Sequence, residues 1–242
     1  MPPPIKLSLF YDITSPWSYI AFEALQRYKR AWNLRFDLHP MFLGAVHIAS
    51  KNVPPASIPN KAKWMVGDLA LLSQVYDLNL RLPPGFPFNK AYNTLNVMRF
   101  MRVLRMERPE LLEDATRRLY EEFFGTNTPT NTPVFLQSLT RDPALLTPSE
   151  LSALLTASQD PANKEGLKTD AERLAADPAG PDGQGQEGGE ACFGFPWIVC
   201  EKPGGERCSF FGSDRMLSIS QWLGKEQYPY TGVDPEARKS KL

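Results

Sequence analysis

The sequence predicts an α/β protein: a four-stranded mixed sheet flanked by helices, with an all-helical block inserted between its second and third strands. Three observations predict it. Residues 5–42 read as strand, helix, strand; residues from about 61 to 176 carry mostly helical spacing; residues 196–223 return to a hairpin and a last helix. A chain of 242 residues can form one large domain or two small ones, with a core that needs no metal or disulfide staple.

Ile5 to Tyr11 (IKLSLFY) alternates apolar and polar and is rich in strand formers. Asp12-Ile13-Thr14 then turns into Ser15-Pro16, with Ser favoured at an N-cap and Pro at the first helical position. Tyr19, Ile20, Phe22, Ala24, Leu25 and Tyr28 give the following segment a broad apolar face. Leu34 to Phe42 reads as a second strand, and a crossover of this length makes the two strands parallel. Helical periods follow over Lys61–Tyr76, Ala91–Arg105 and Glu110–Phe124. Gly125–Pro133 is a turn-rich loop, Thr147-Pro148-Ser149-Glu150 announces a capped helix, and Asn163–Ala176 gives another. Residues 177–190 are Gly/Pro-rich and read as a flexible loop. Pro196–Cys200 and Cys208–Phe211 form a hairpin around a Pro-Gly-Gly turn, and Ser213-Asp214 caps a helix reaching Leu223. This order is the thioredoxin fold with an inserted helical domain, the DsbA-like topology. The sheet domain is expected in 1–62 and 190–242, the helical insertion in 63–189.

Lys+Arg and Asp+Glu are 27 each, so the net charge is zero. That argues against nucleic acid as the main partner and removes the polybasic route to a membrane. No apolar run approaches the ~18–20 residues of a span, and Met1-Pro2-Pro3-Pro4 lacks the charged and apolar regions of a signal peptide. Cys192, Cys200 and Cys208, with only His39 and His47 elsewhere, do not supply the short ligand spacings of a zinc site. No metal is expected; the cysteines read as buried reduced thiols, with Cys200 and Cys208 able to face each other across the hairpin. Ser240-Lys241-Leu242 at the end of the chain is a tripeptide of the type read by the peroxisomal import receptor. The expected location is the peroxisome, the alternatives cytoplasm or mitochondrion.

In the thioredoxin plan, chemistry sits where the first strand meets the first helix. Redox members carry Cys-x-x-Cys there, because a helix N-terminus stabilises a thiolate. Here the residues are Ser15-Pro16-Trp17-Ser18, and hydroxyls cannot exchange with disulfides. What remains is the positive end of a helix with a hydroxyl at its tip, suited to stabilising another molecule's thiolate or serving as a plain helix start.

The stretch Phe10-Tyr11-Asp12-Ile13-Thr14-Ser15-Pro16-Trp17-Ser18 resembles the opening motif of kappa-class glutathione transferases. The resemblance continues at Asn52-Val53-Pro54-Pro55, Pro59-Asn60-Lys61, Met98-Arg99-Phe100, Phe193-Gly194-Phe195-Pro196 and Phe211-Gly212-Ser213-Asp214-Arg215-Met216. It covers nearly the whole chain; the departures are Thr126–Pro148 and the Gly-rich loop. The resemblance implies a transferase that uses glutathione as co-substrate against small hydrophobic electrophiles, with glutathione peroxidase activity as a second reaction, working in detoxification as a homodimer.

It also implies roles. Ser15 would donate to the glutathione sulfur. Lowering a thiol from about 8.5–9 to about 6.5 needs ~2.7 kcal/mol. A hydrogen bond to a charged group supplies ~1.5–3 and a helix N-terminus ~0.3–1 kcal/mol, up to ~2. Pro16 and Trp17 complete that helix tip. Phe195, before a cis Pro196, would pair its N–H and C=O with the cysteinyl backbone. Ser213 and Asp214 would receive the γ-glutamyl carboxylate and ammonium. Asn52 would hold the backbone or glycyl end and Lys61 the glycyl carboxylate. Arg215 either adds charge or pairs with an acid, and Trp17, Trp64 and Met65 either wall an electrophile pocket or sit in the core. Two other functions fit the same residues: a glutathione-dependent 2-hydroxychromene-2-carboxylate-type isomerase, and a protein that holds glutathione or acyl ligands without turnover.

Overall fold

The computed structural model describes residues 3–176 and 189–225. The strand Ile5–Tyr11 (β1) leads through Asp12–Ser15 into the helix Pro16–Tyr28 (α1) and the strand Leu34–Pro40 (β2). The hairpin consists of Trp197–Glu201 (β3) and Arg207–Phe211 (β4). The four strands lie in the order β2-β1-β3-β4, with β1 parallel to β2 and antiparallel to β3. Alternation along β1 sends Ile5, Leu7, Leu9 and Tyr11 to one face of the sheet and Lys6, Ser8 and Phe10 to the other.

The helices between β2 and β3 are Leu43–Ser50 (α2), Pro59–Val75 (α3), Leu95–Glu107 (α4), Leu112–Tyr120 (α5), Pro133–Gln137 (α6), Pro148–Ser158 (α7) and Pro161–Ala175 (α8). Met216–Leu223 (α9) closes the described chain. Helix α3 runs continuously across residue 62, the edge expected for the insertion. The α7 start is a full capping box: Glu150 N–H donates to Thr147 Oγ1 at 3.2 Å and Thr147 N–H to the Glu150 carboxylate at 2.8 Å.

Several elements differ from the sequence reading, four of them in ways that matter for the site or the core. Helix α2 was not expected, because LGAVHIAS has no 3.6-residue apolar period and buries only Val46. Helix α4 starts at Leu95; Asn89 caps a separate 3-10 turn, Lys90–Tyr92. The 110–124 segment is a helix that widens into a π turn, Glu121–Gly125. The last helix starts at Met216, with Arg215 at the N-cap position and no side-chain cap bond. Ser213 and Asp214 therefore occupy the preceding turn, after the left-handed Gly212 (φ +104°), and do not cap the helix.

One apolar core runs from the sheet face carrying Leu7 and Leu9 into the helical block, through Phe22, Phe100, Phe123 and Phe135. A second, smaller core on the opposite face joins Met41, Val46, Leu174, Phe195 and Trp197. Each fully buried side chain of this size contributes on the order of 1.5–3 kcal/mol, and together they fix the end of β1 against α1. No helix among the described residues is long and apolar enough to cross a membrane. The Ser240-Lys241-Leu242 tripeptide and residues 177–188 lie outside the described residues.

Candidate active site

The site is the junction of β1, α1 and the segment entering β3. Ser15 is the N-cap of α1, with extended backbone, and is 3% exposed. Its Oγ accepts from Ser18 N–H at 3.1 Å and donates to the Phe195 carbonyl at 3.3 Å. The first contact polarises the hydroxyl and makes it a better donor. The second is longer than an ordinary O–H···O bond, so the proton is weakly held and can turn toward a sulfur. Pro16 follows at N1 and carries no amide. The first helical N–H is therefore that of Trp17, which has no intrahelical acceptor.

Asp12 braces this turn from below. Its carboxylate is fully buried and accepts from Thr14 N–H at 3.0 Å and from Leu43 N–H, at the start of α2, at 2.8 Å. Its main-chain oxygen accepts from Ser15 N–H at 3.0 Å and from the Tyr120 hydroxyl at 3.3 Å. Burial pushes the Asp12 carboxyl up to about 6, against the downward pull of the Thr14 and Leu43 N–H groups. Sequence reasoning passed over this residue, although Asp two positions before Thr14 has the spacing of an Asx turn.

The phenols around the junction stay protonated at neutral pH. Burial holds the Tyr11, Tyr19 and Tyr120 phenols above their ordinary value. Tyr11 donates to Thr116 Oγ1 at 2.6 Å, because Thr116 itself donates to the Leu112 carbonyl. Burial also pushes the Cys192 and Cys200 thiols up to about 12, so these cysteines are poor nucleophiles. Cys200 and Cys208 are direct cross-strand partners, and all three cysteines are free thiols.

Several of the residues singled out in the sequence meet here. The Phe195–Pro196 bond is cis. Phe195 is 5% exposed, its carbonyl faces Ser15, and its N–H has no partner among the described residues. Asn52 Nδ2 donates to the Phe193 carbonyl at 2.7 Å, tying the α2–α3 loop to the segment that leads into β3. Ser213 is buried and Asp214 exposed. Arg215 pairs with Asp214 at 2.9 Å and donates to the Phe211 carbonyl, so it neutralises an acid and adds no free charge. A side chain at Gly212 would meet the Asp214 carboxylate at 2.6 Å. Lys61 is exposed, and no hydrogen bond or ion pair joins it to the others among the described residues. Met65 is core, Trp64 is 65% exposed, and Trp17 packs half-buried on the main core.

Comparison with known proteins decides the family. Residues 6–224 match the family described as DSBA-like thioredoxin domain. The chain is 31% identical to glutathione S-transferase kappa 1 of Rattus norvegicus over 93% of both chains. It is 29% identical to the Homo sapiens protein of that name, over 100% of this chain and 99% of the other. This chain belongs to the kappa-class glutathione S-transferases. Among solved structures, a 2-hydroxychromene-2-carboxylate isomerase superposes with a TM-score of 0.66 at 17% identity, covering 90% of this chain and 94% of that one. The disulfide reductase DsbM of Pseudomonas aeruginosa with GSH gives 0.54 at 13%, covering 90% and 96%. These two likenesses are of fold. The kappa-class member described here has the DsbA-like thioredoxin fold with a serine at the tip of its first helix.

Proposed function

We propose that this kappa-class member binds glutathione at the β1–α1 junction and conjugates it to small hydrophobic electrophiles, with Ser15 stabilising the thiolate. The observation that carries the reading is the Ser15 hydroxyl, polarised by Ser18 N–H and weakly held by the Phe195 carbonyl at the positive end of α1. On thiol binding the Ser15 proton turns from that carbonyl to the sulfur, the thiol proton leaves to solvent, and the sulfur attacks the electrophile. The Phe195 N–H and the freed carbonyl would pair with the cysteinyl main chain. Ser213 and Asp214 would take the γ-glutamyl end, with Arg215 setting the Asp214 carboxylate. Asn52 and Lys61 would meet the glycyl end, and Pro16 and Trp17 would close the tip. Peroxide reduction by the same thiolate belongs to the proposal, as do peroxisomal location through Ser240-Lys241-Leu242 and a homodimer. Ile48, Val53, Ile58, Trp64 and Leu71, all exposed, support a partner over α2 and α3.

Ser15→Ala tests the central role. Loss of a hydrogen bond to a charged sulfur, ~1.5–3 kcal/mol, predicts a fall of roughly 10- to 150-fold in kcat/KM with an aryl-halide electrophile at pH 6.5. Unchanged turnover contradicts the role. A Ser15-dependent reaction with a 2-hydroxychromene acid, and none with aryl halides, selects the isomerase instead. Glutathione binding with neither reaction selects the non-catalytic protein.

A further inference from the structure

A cleft of about 310 Å³ lies on the sheet face opposite Tyr11, between β1, β2, α4 and α8. Its floor is apolar, made by Phe10, Met41 and Leu174, and its rim carries four arginines: Arg102 and Arg105 from α4, Arg173 from α8 and Arg207 from β4. Three of them are fixed in place. Arg102 Nε donates to Asp170 at 2.9 Å and its Nη1 to Asn163 Oδ1 at 3.1 Å. Arg105 donates to Asp37 at 2.9 Å, and Arg207 pairs with Glu190. The Arg173 side chain makes no hydrogen bond or ion pair among the described residues. It lies in the last turn of α8, a place that suits one cation but does not explain four guanidiniums around one hollow.

The charges do not balance. Asp37 is shared by Lys6 at 3.4 Å, Arg105 at 2.9 Å and His39 Nε2 at 3.1 Å. With Asp170 and Glu190 that makes three carboxylates against Lys6 and four arginines, an excess of two positive charges before His39 is counted. Salt-bridged arginines keep their remaining N–H groups in fixed directions, and a guanidinium fork matches phosphate or carboxylate oxygens two at a time. The His39 ring, stacked on Phe10 with centroids 4.4 Å apart, adds a ring nitrogen to the same wall.

We propose that this cleft is a second ligand site, for a compact polyanion of the diphosphate or tricarboxylate class. It is separate from the Ser15 junction, because its lining includes none of Ser15, Pro16, Trp17, Phe195 or Ser213. It therefore does not rest on the glutathione reading.

Calorimetric titration of the full chain with pyrophosphate at low salt tests it, with orthophosphate and ADP as further arms. The expected result is one site per chain, orthophosphate at least tenfold weaker, and affinity falling as salt rises. ADP binding more tightly than pyrophosphate assigns a nucleotide diphosphate; weaker ADP binding assigns a free polyanion. Arg173→Ala, which breaks no side-chain hydrogen bond or ion pair among the described residues, should weaken pyrophosphate at least tenfold, and Arg173→Glu should abolish it, both with the melting temperature retained. Ser15→Ala should bind pyrophosphate unchanged. Absence of binding below millimolar pyrophosphate, or equal affinity in wild type and Arg173→Ala, overturns the proposal.

Discussion

Asp12→Asn is the most informative change outside Ser15, because it separates a buried charge from the hydrogen bonds that charge makes. In the folded protein burial pushes the Asp12 carboxyl up to about 6; an unfolded aspartate titrates near 3.9. The folded state therefore binds the extra proton between those values, and this group's contribution to stability is present at low pH and lost as pH rises through about 6. From the two values, linkage makes the wild type about 1 kcal/mol more stable at pH 5 than at pH 7 on account of Asp12 alone. Two other groups act in the opposite sense. The His47 imidazole is pushed down by burial, so it favours the fold as pH rises through its range. Asp37, held far below the usual carboxylate range chiefly by its bond to His39, acts only in more acid solution. Subtracting the variant from the wild type cancels both. The amide introduced by Asp12→Asn keeps one acceptor for Thr14 or Leu43, but turns an NH₂ group toward the other N–H, which costs about 1–3 kcal/mol. Urea unfolding of both proteins at pH 5, 6 and 7 should show the wild-type advantage shrinking by about 1 kcal/mol across the interval. Parallel stability curves would refute the assignment of a proton-binding buried carboxyl to Asp12.

Tyr11→Phe removes a phenol that donates to Thr116 while leaving the Thr116–Leu112 bond intact. It should cost about 1 kcal/mol and lower the melting temperature by about 2–4 °C in a domain of this size, read by calorimetry. Gly212→Ala forces a side chain into left-handed backbone and against the Asp214 carboxylate. A stability loss of about 1–3 kcal/mol and a raised KM for glutathione, with a smaller change in kcat, are expected from kinetics at saturating electrophile.

The elements that sequence made legible are those whose signal is local. Alternation gave β1, two short strand-like runs around a Pro-Gly-Gly turn gave the hairpin, Ser-Pro gave the start of α1, and Thr147-Pro148-Ser149-Glu150 gave that of α7. Ser15 was legible for the same reason, since a cap residue is chosen by its own turn. Its second partner was not, because the Phe195 carbonyl lies 180 residues away and arrives only once β3 pairs with β1. Helix α2 escaped because seven of its eight residues are not fully buried and impose no period. The Ser213-Asp214 cap failed because Gly212 turns the chain early and Arg215 takes the cap position. The arginine cleft was invisible for a related reason: its four cations come from three elements far apart in sequence, and the zero net charge of the whole chain hides a local excess.

The proposed role of Ser15 requires that glutathione be ionised in the binary complex. Thiolate absorbance titrated across pH should place the bound thiol about 2 units below its value in free solution for the wild type, and return most of the way to that value in Ser15→Ala. A bound thiol that titrates like the free tripeptide, or a shift that survives intact in Ser15→Ala, would contradict it.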